Sequence, residues 1–347
     1  MKRWTIGLGF LVSGFFVYLA LRGLQLDQVW RGLQEADYRW MIPGVMVYFV
    51  AVWARTWRWH YMLRSLKPIP LRHLFPVVVI GYMGNNVYPA RAGEVIRAYV
   101  LRRKEEVPMS GSLATIVVER VFDGLVMLLF VFISLPLAPM PAWLRRIVIL
   151  ASLLFFGALV LFFALAAVPR RAQAATSWLI ERLLPPSLRQ PGEGIVARFL
   201  AGLRFLRSGH DVGMIFVSSL VIWLAETANY WCVMQGFPFR APFYVLMLMN
   251  GVVNLATTIP STPGYVGTFD APGIRVLEGF GVPGEVAAGY TLLLHGALWL
   301  PITCLGFYYM WRESISWQDL GAATEESPVG AIEVSEGTTS TCTTDET

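Results

Sequence analysis

Long apolar stretches constrain this chain more than any other feature. Six of them can cross a bilayer as helices, because the hydrocarbon core is about 30 Å thick and a helix rises about 1.5 Å per residue. The chain is 56% hydrophobic and 15% charged, against about 25% charged in soluble domains, so we predict an integral membrane protein. The predicted spans cover about 4–22, 40–63, 111–135, 145–168, 212–236 and 285–311.

Two further apolar blocks, 71–105 and 241–282, are interrupted in the same order. Each has an asparagine-rich approach, a proline, a glycine and an acidic residue. Irregular backbone at membrane depth persists only where it is buried in protein or lines a wet cavity. Broken segments at matching positions of two halves indicate a transporter's central site. The interrupting residues are Asn85, Asn86, Pro89, Gly93 and Glu94, then Asn254, Pro263, Gly267 and Asp270.

Lys and Arg predict the orientation, because they are enriched in cytoplasmic loops. The N-terminus, 64–73, 97–104 and 169–210 are basic, which predicts a plasma-membrane protein with both termini in the cytoplasm. The predicted fold is an all-α polytopic membrane protein of six plain spans plus two oppositely oriented broken or re-entrant helical hairpins, about eight membrane segments. The hairpins are candidates for an inverted repeat, and whether they cross fully stays open.

Charge divides the chain into two parts. Residues 1–312 hold all 28 basic and 15 of the 23 acidic residues, a net charge of +13, and form the predicted transmembrane domain. Within it, 4–22 is interpreted as a retained span, since no small-x-small cleavage site follows. Residues 313–347 hold the other eight acidic residues and no basic one, and are predicted to be a disordered cytoplasmic tail. The bases suit anionic headgroups rather than nucleic acid.

Charged residues inside the spans cost at least about 2.5–3.5 kcal/mol each, so they usually have a partner or a task. Glu94 and Arg97 are predicted to pair if 92–104 is helical, and Glu119 and Asp123 share a helix face. Two interpretations stay open: a buried ion network that fixes helix packing, or a polar track that accepts a lipid headgroup.

Other residues also allow two interpretations. Glu226 and Asp270 are either proton carriers or packing residues, and 260–267 either cradles a phosphate or turns the chain. His295 is interpreted as a satisfied helix-packing histidine, with its ring nitrogens hydrogen-bonded. Arg55 and Arg58, interleaved with tryptophans, are interpreted as anchors at the lipid–water boundary. The scattered cysteines and histidines predict no metal site, and no catalytic residue or cofactor is predicted.

Three segments, 81–97 (GYMGNNVYPARAGEVIR), 118–123 (VERVFD) and 260–270 (PSTPGYVGTFD), resemble signatures of one family. It is the lysylphosphatidylglycerol synthase transmembrane region, also called flippase-like or YbhN-type membrane proteins. The resemblance implies a protein that moves lipids between leaflets. It also implies a stand-alone translocase, without the soluble aminoacyl-transferase domain of bifunctional members. Asp270 stands where the family usually has glutamate.

The leading hypothesis is a lipid translocase for an anionic or modified phospholipid or a lipid-linked precursor. Membrane lipids and lipid-synthesis enzymes are the predicted partners, and the oligomeric state stays open. The alternatives are a membrane enzyme acting on a lipid carrier or headgroup, a non-catalytic partner subunit, and ion-coupled transport of a small solute. The predicted substrate-binding residues are Asn85, Asn86, Arg91, Glu94, Arg97, Glu119, Arg120, Asp123, Asn254, Ser261, Thr262, Gly264, Gly267 and Asp270.

Overall fold

The computed structural model describes residues 25–88, 92–134, 208–258 and 263–316, with a few isolated positions besides. Within these ranges the secondary structure is helical, with no strand. The helices are α1 Leu26–Glu35, α2 Met41–Leu63, α3 Leu71–Val87, α4 Gly93–Glu105, α5 Met109–Ser134, α6 Gly209–Met234, α7 Phe243–Ala256, α8 Asp270–Gly279 and α9 Gly284–Arg312. A short 3₁₀ turn, Pro263–Tyr265, precedes α8.

Four predicted spans coincide with the long helices α2, α5, α6 and α9. Of the described helices, α6 and α9 are long and apolar enough to cross a membrane. Helices α2 and α5 have 23 and 26 residues and carry buried charges. The predicted spans 4–22 and 145–168 and the tail from 317 onward lie outside the described residues.

Both interrupted blocks form helix pairs broken near their middles. The first pair, α3 and α4, packs side by side, as does the second pair, α7 and α8. These helices have 17, 13, 14 and 10 residues, whereas a helix needs about 20 to cross a bilayer. The turn before α8 packs against α3, and a methyl group added at Gly264 would lie 3.6 Å from the Asn86 carbonyl oxygen. The two breaks therefore meet.

The helix ends gather at two faces of the molecule. At one face, which we call the basic face, Lys67 Nζ donates to the Glu105 carbonyl at 2.7 Å and Tyr61 donates to Asp211 at 2.5 Å. At the other, the far face, the Asp37 N–H donates to the Gly236 carbonyl at 3.0 Å. The basic face comprises 64–73, 102–109, 208–212 and 312–316, and the far face comprises 25–40, 235–243 and 275–285.

Apolar packing holds these helices around α9. Its Gly306 lies so close to α3 that an added methyl group would come 2.3 Å from Met83 Cβ. On the far-face side, α9 packs against α1 and α8, and Tyr290 lies edge-on to Phe237 and Phe239. On the other side of the bundle, α2 packs along α6. The polar residues between these contacts form the candidate site.

Candidate functional site

A polar cavity of about 120 Å³ lies where the two helix breaks meet. Its lining comes from the middle parts of α2, α5, α6 and α9 and from the inner ends of α3 and α7, so it is halfway between the two faces. Five predicted residues line it: Asn85, Asn86, Arg120, Asn254 and Gly264. The other lining residues were not predicted from the sequence to lie there: Tyr48, Arg55, Tyr82, Trp223, Glu226, Thr257, Tyr265, Phe269, His295, Leu298 and Trp299.

Arg55 is the principal cation of this cavity. It is 4% exposed, and its guanidinium binds the Glu226 carboxylate at 2.5 Å. The guanidinium also lies 4.8 Å from the Trp223 ring centroid and 5.6 Å from that of Tyr82, within the range of cation–π attraction. The predicted role of Arg55 as an interfacial anchor is therefore wrong, and Glu226 is its ion-pair partner.

Arg58 forms the centre of a second buried ion cluster, behind the cavity wall. It binds Asp123 at 2.6 Å and Ser219 at 2.6 Å, and lies 3.8 Å from Glu119. Its predicted anchor role is wrong as well, because it is 1% exposed. The shared face of Glu119 and Asp123 is confirmed, since both carboxylates approach the same guanidinium. Trp223 Nε1 also donates to Asp123 at 2.9 Å.

Helices α4 and α5 are joined by two further ion pairs. Arg97 binds Glu119, and Arg120 lies 3.6 Å from Glu94 and 3.1 Å from Asp123. The predicted pair of Glu94 with Arg97 is wrong, because each of them instead pairs with a residue of opposite charge on α5. Glu94 pairs with Arg120 and Arg97 pairs with Glu119. The pairs of Arg97 with Glu119 and of Arg120 with Glu94 tie the first helix pair to the long helix α5, while Arg120 and Asp123 pair within α5.

A smaller cavity, about 10 Å³, lies between α3, α4 and α5 and shares Tyr82, Asn85 and Arg120 with the central one. Glu94 and Arg97 complete its polar lining. Asn85 Oδ1 and Arg120 Nε are buried without a hydrogen-bond partner among the described residues. Unsatisfied buried polar atoms are costly, so this wall is poised to bind a water or a ligand oxygen or nitrogen.

His295 joins the cavity to the second helix pair. Its Nδ1 lies 2.9 Å from Asp270 and its Nε2 lies 2.7 Å from the Gly264 carbonyl. Asp270 in turn accepts from the Gly267 N–H at 2.9 Å. Gly264 and Gly267 have φ of +73° and +82°, a region glycine enters without strain. Both ring nitrogens of His295 therefore have a partner, in agreement with its interpretation as a satisfied helix-packing histidine.

Amides fix the inner ends of α3 and α7. Asn86 Nδ2 donates to Thr303 of α9 at 2.8 Å. Asn254 Nδ2 donates to Asn250 Oδ1 at 2.7 Å, and Asn250 donates to Thr227 of α6 at 3.0 Å. Asn86 of the first interrupted block and Asn254 of the second therefore have polar partners at the centre of the bundle.

Comparison with known proteins shows the family of this chain. The family described as the lysylphosphatidylglycerol synthase TM region matches residues 6–306. The chain belongs to this family. It is a membrane protein, and the resemblance of its three motifs is confirmed.

Individual proteins are similar to the chain at low identity. A UPF0104 membrane protein of Methanothermobacter thermautotrophicus is 24% identical over 88% of this chain and 92% of its own length. One from Methanocaldococcus jannaschii is 22% identical over 86% and 92%. Glycosyltransferase AglD of Haloferax volcanii is 25% identical over 78% of this chain but only 48% of its own length.

The three family motifs converge on the centre of this chain. The first supplies cavity residues Asn85 and Asn86, with Glu94 and Arg97 beside them. The second supplies Arg120 to the cavity, and Glu119 and Asp123 to the ion cluster behind it. The third supplies Gly264 to the cavity, while Asp270 and Gly267 lie one layer behind, reached through His295. Arg91, Ser261 and Thr262 lie outside the described residues.

Proposed function

We propose that this chain is a lipid translocase that passes the headgroup of an anionic or modified phospholipid, or of a lipid-linked precursor, through its central cavity. The observation that carries the proposal is the position of that cavity, halfway between the faces at the meeting point of two broken helix pairs. Transporter sites built from discontinuous helices lie at this depth. The acyl chains stay in the bilayer during passage.

The chemistry of the lining supports an anionic or zwitterionic headgroup. Arg55 and Arg120 supply guanidinium groups that can hold a phosphate through two N–H groups, and Asn85, Asn86 and Asn254 supply amides. The charge of Arg55 is balanced by Glu226 and that of Arg120 by Glu94. A headgroup phosphate can displace such a carboxylate and later be released when the ion pair forms again.

The proposed topology has the first helix pair enter from the basic face and the second from the far face, as two re-entrant hairpins that form an inverted repeat. Their short helices and the contact between the breaks support this arrangement. At about 120 Å³ the cavity is smaller than the about 300–1,000 Å³ of small-molecule sites, so a headgroup passes only when the breaks separate.

Leaflet exchange in liposomes tests this function. The purified protein should accelerate exchange of a labelled anionic phospholipid, and Arg120→Ala and Glu94→Ala should each reduce that rate at least tenfold. Both residues line the cavities and pair at 3.6 Å. Glu94→Ala removes this contact alone, whereas Arg120→Ala also removes the contact of Arg120 with Asp123 at 3.1 Å. Unchanged rates in both variants would reject the assignment.

The matched control is Arg275→Ala with Glu278→Ala, tested singly. This pair at the far face has the same charges and lies 2.7 Å apart, with Arg275 largely exposed. Its loss should leave exchange unchanged. A monodisperse gel-filtration profile for each variant separates a loss of transport from a loss of fold.

A second candidate is a membrane enzyme or partner subunit acting on a lipid carrier. The resemblance to a protein named glycosyltransferase AglD favours it. Mass spectrometry of extracted lipids distinguishes the two functions, because an enzyme changes the mass of a lipid and a translocase does not. A new lipid mass that appears only with the protein would favour the enzyme.

A further inference from the structure

A second, larger cavity opens at the basic face, away from the central one. This groove, about 830 Å³, lies between α2, the start of α3, the end of α4 and the end of α9. None of its lining residues lines the central cavity. It is large enough for a small-molecule ligand, and the proposed translocation does not use it.

The groove is cationic at its mouth. Arg72 and Arg312 are exposed there, and neither has an ion-pair partner among the described residues. The acidic residues beside them are already neutralised, since Glu105 binds Lys67 at 3.2 Å and His73 at 2.9 Å, while Glu313 binds Lys104. Two guanidinium groups are therefore left for a ligand with negative charge.

Helix α3 adds backbone donors at the same mouth. It begins at Leu71 after Pro70, and no side chain caps its first turn. The first N–H groups of a helix carry partial positive charge and bind phosphate. Arg72 lies in this turn, so the guanidinium and the helix end act on the same volume.

Deeper in the membrane the groove becomes apolar and aromatic. Phe75 and Tyr309 form an edge-to-face pair at 6.0 Å, and Trp53 is 53% exposed. Trp53 precedes the end of α2 by ten residues, which places it about 15 Å below the basic face. The groove therefore has a charged end at the surface and an apolar end within the bilayer.

We propose that this groove is a binding site for one anionic phospholipid. Arg72, Arg312 and the start of α3 bind the phosphate, and the aromatic wall with Trp53 holds the upper part of an acyl chain. The cationic mouth of the groove suits the charged headgroup of such a lipid, and its apolar interior suits the upper part of an acyl chain. Its volume of about 830 Å³ is large enough for both. The proposal rests on the membrane location of the chain and not on its transport function.

Native mass spectrometry of the full chain with phosphatidylglycerol and phosphatidylcholine of equal acyl length tests this site. The protein should retain phosphatidylglycerol at least fivefold better. Arg72→Gln and Arg312→Gln should each remove most of that preference, because each deletes one cation of the groove. Arg64→Gln is the matched control: it lies exposed on the same face but outside the groove, and should change nothing.

Either of two results of the binding measurements would overturn the proposal. One is equal loss in the Arg64 and Arg72 variants, which would indicate general attraction to a basic surface. The other is higher phosphatidylglycerol binding after removal of 317–347, which would identify the acidic tail as the occupant.

A phosphatidylglycerol carrying a photoreactive group near the top of its acyl chain should crosslink to the peptide containing Trp53. Crosslinks confined to other helices would also reject the site.

Discussion

Buried arginines decide how the central residues are arranged. Arg58 touches Asp123, Ser219 and Glu119, and so connects α2 to both α5 and α6. Sequence patterns predicted the common face of Glu119 and Asp123 because it depends on spacing within one helix. They could not predict the arginines' partners, which lie from 61 positions away (Arg58 to Glu119) to 171 positions away (Arg55 to Glu226). Arg alternates with Trp both in buried clusters and in interfacial belts, so this pattern could not distinguish the two positions for Arg55 and Arg58.

Arg58→Ala should destabilise the protein by about 3–5 kcal/mol, the usual cost of leaving a buried carboxylate without its cation. Thermal unfolding in detergent measures this loss. Arg64→Ala is the control, since Arg64 is exposed just beyond α2 and should stay within about 0.5 kcal/mol.

A double variant, Arg58→Ala with Asp123→Ala, separates charge from packing. Because it removes both members of the closest pair, it should recover part of the lost stability. If the Arg58→Ala protein has the same melting temperature as the wild type, the cluster does not contribute to stability.

Close helix approach shapes the first broken pair at the level of elements. Gly93 opens α4 against α3, and a methyl group there would lie 1.9 Å from the Gly81 carbonyl oxygen. The sequence predicted a break near Pro89 and Gly93, and it is confirmed, because α3 ends at Val87 and α4 begins at Gly93. It did not predict that α3 continues through Asn85 and Asn86, because the polar partners of Asn86 on α9 appear only in the packed bundle.

Gly93→Ala should therefore separate α3 from α4 and lower stability by about 1–3 kcal/mol or more, as overpacking does. Gly296→Ala is the control, because Gly296 lies inside α9 with nothing within 4 Å of an added methyl group. Thermal unfolding and the yield of monodisperse protein measure both variants. Equal yields and equal melting temperatures would mean that α3 and α4 are not packed this closely.

The two faces differ in charge at the level of the whole molecule. Among described residues, the basic face carries Arg64, Lys67, Arg72, Arg102, Arg103, Lys104 and Arg312, and the far face carries Arg31, Arg39, Arg240 and Arg275. The enrichment of Lys and Arg in cytoplasmic loops predicts that the basic face is cytoplasmic. Composition alone predicted the all-helical membrane class, but the pairing of distant helices needed the folded structure.

Cysteine labelling tests this orientation. In a background with Cys232, Cys304 and Cys342 replaced by serine, Ser65→Cys should react with an impermeant maleimide only after the membrane is opened. Gln28→Cys, exposed at the far face, should react in intact cells. The reverse pattern would place the basic face outside.

The pairing of Arg55 with Glu226 also constrains how the protein is made. The two residues are 171 positions apart, so at about 5–20 residues per second roughly 10–30 s of synthesis separates them. During that interval α2 carries Arg55 without its partner, and inserting such an arginine at membrane depth costs at least about 2.5 kcal/mol. Arg58 is likewise unpaired until Asp123 and Ser219 have been synthesised. The nascent α2 must therefore stay shielded, beside the insertion machinery or other polar groups, until α6 emerges. Biogenesis of this chain cannot proceed one independent helix at a time.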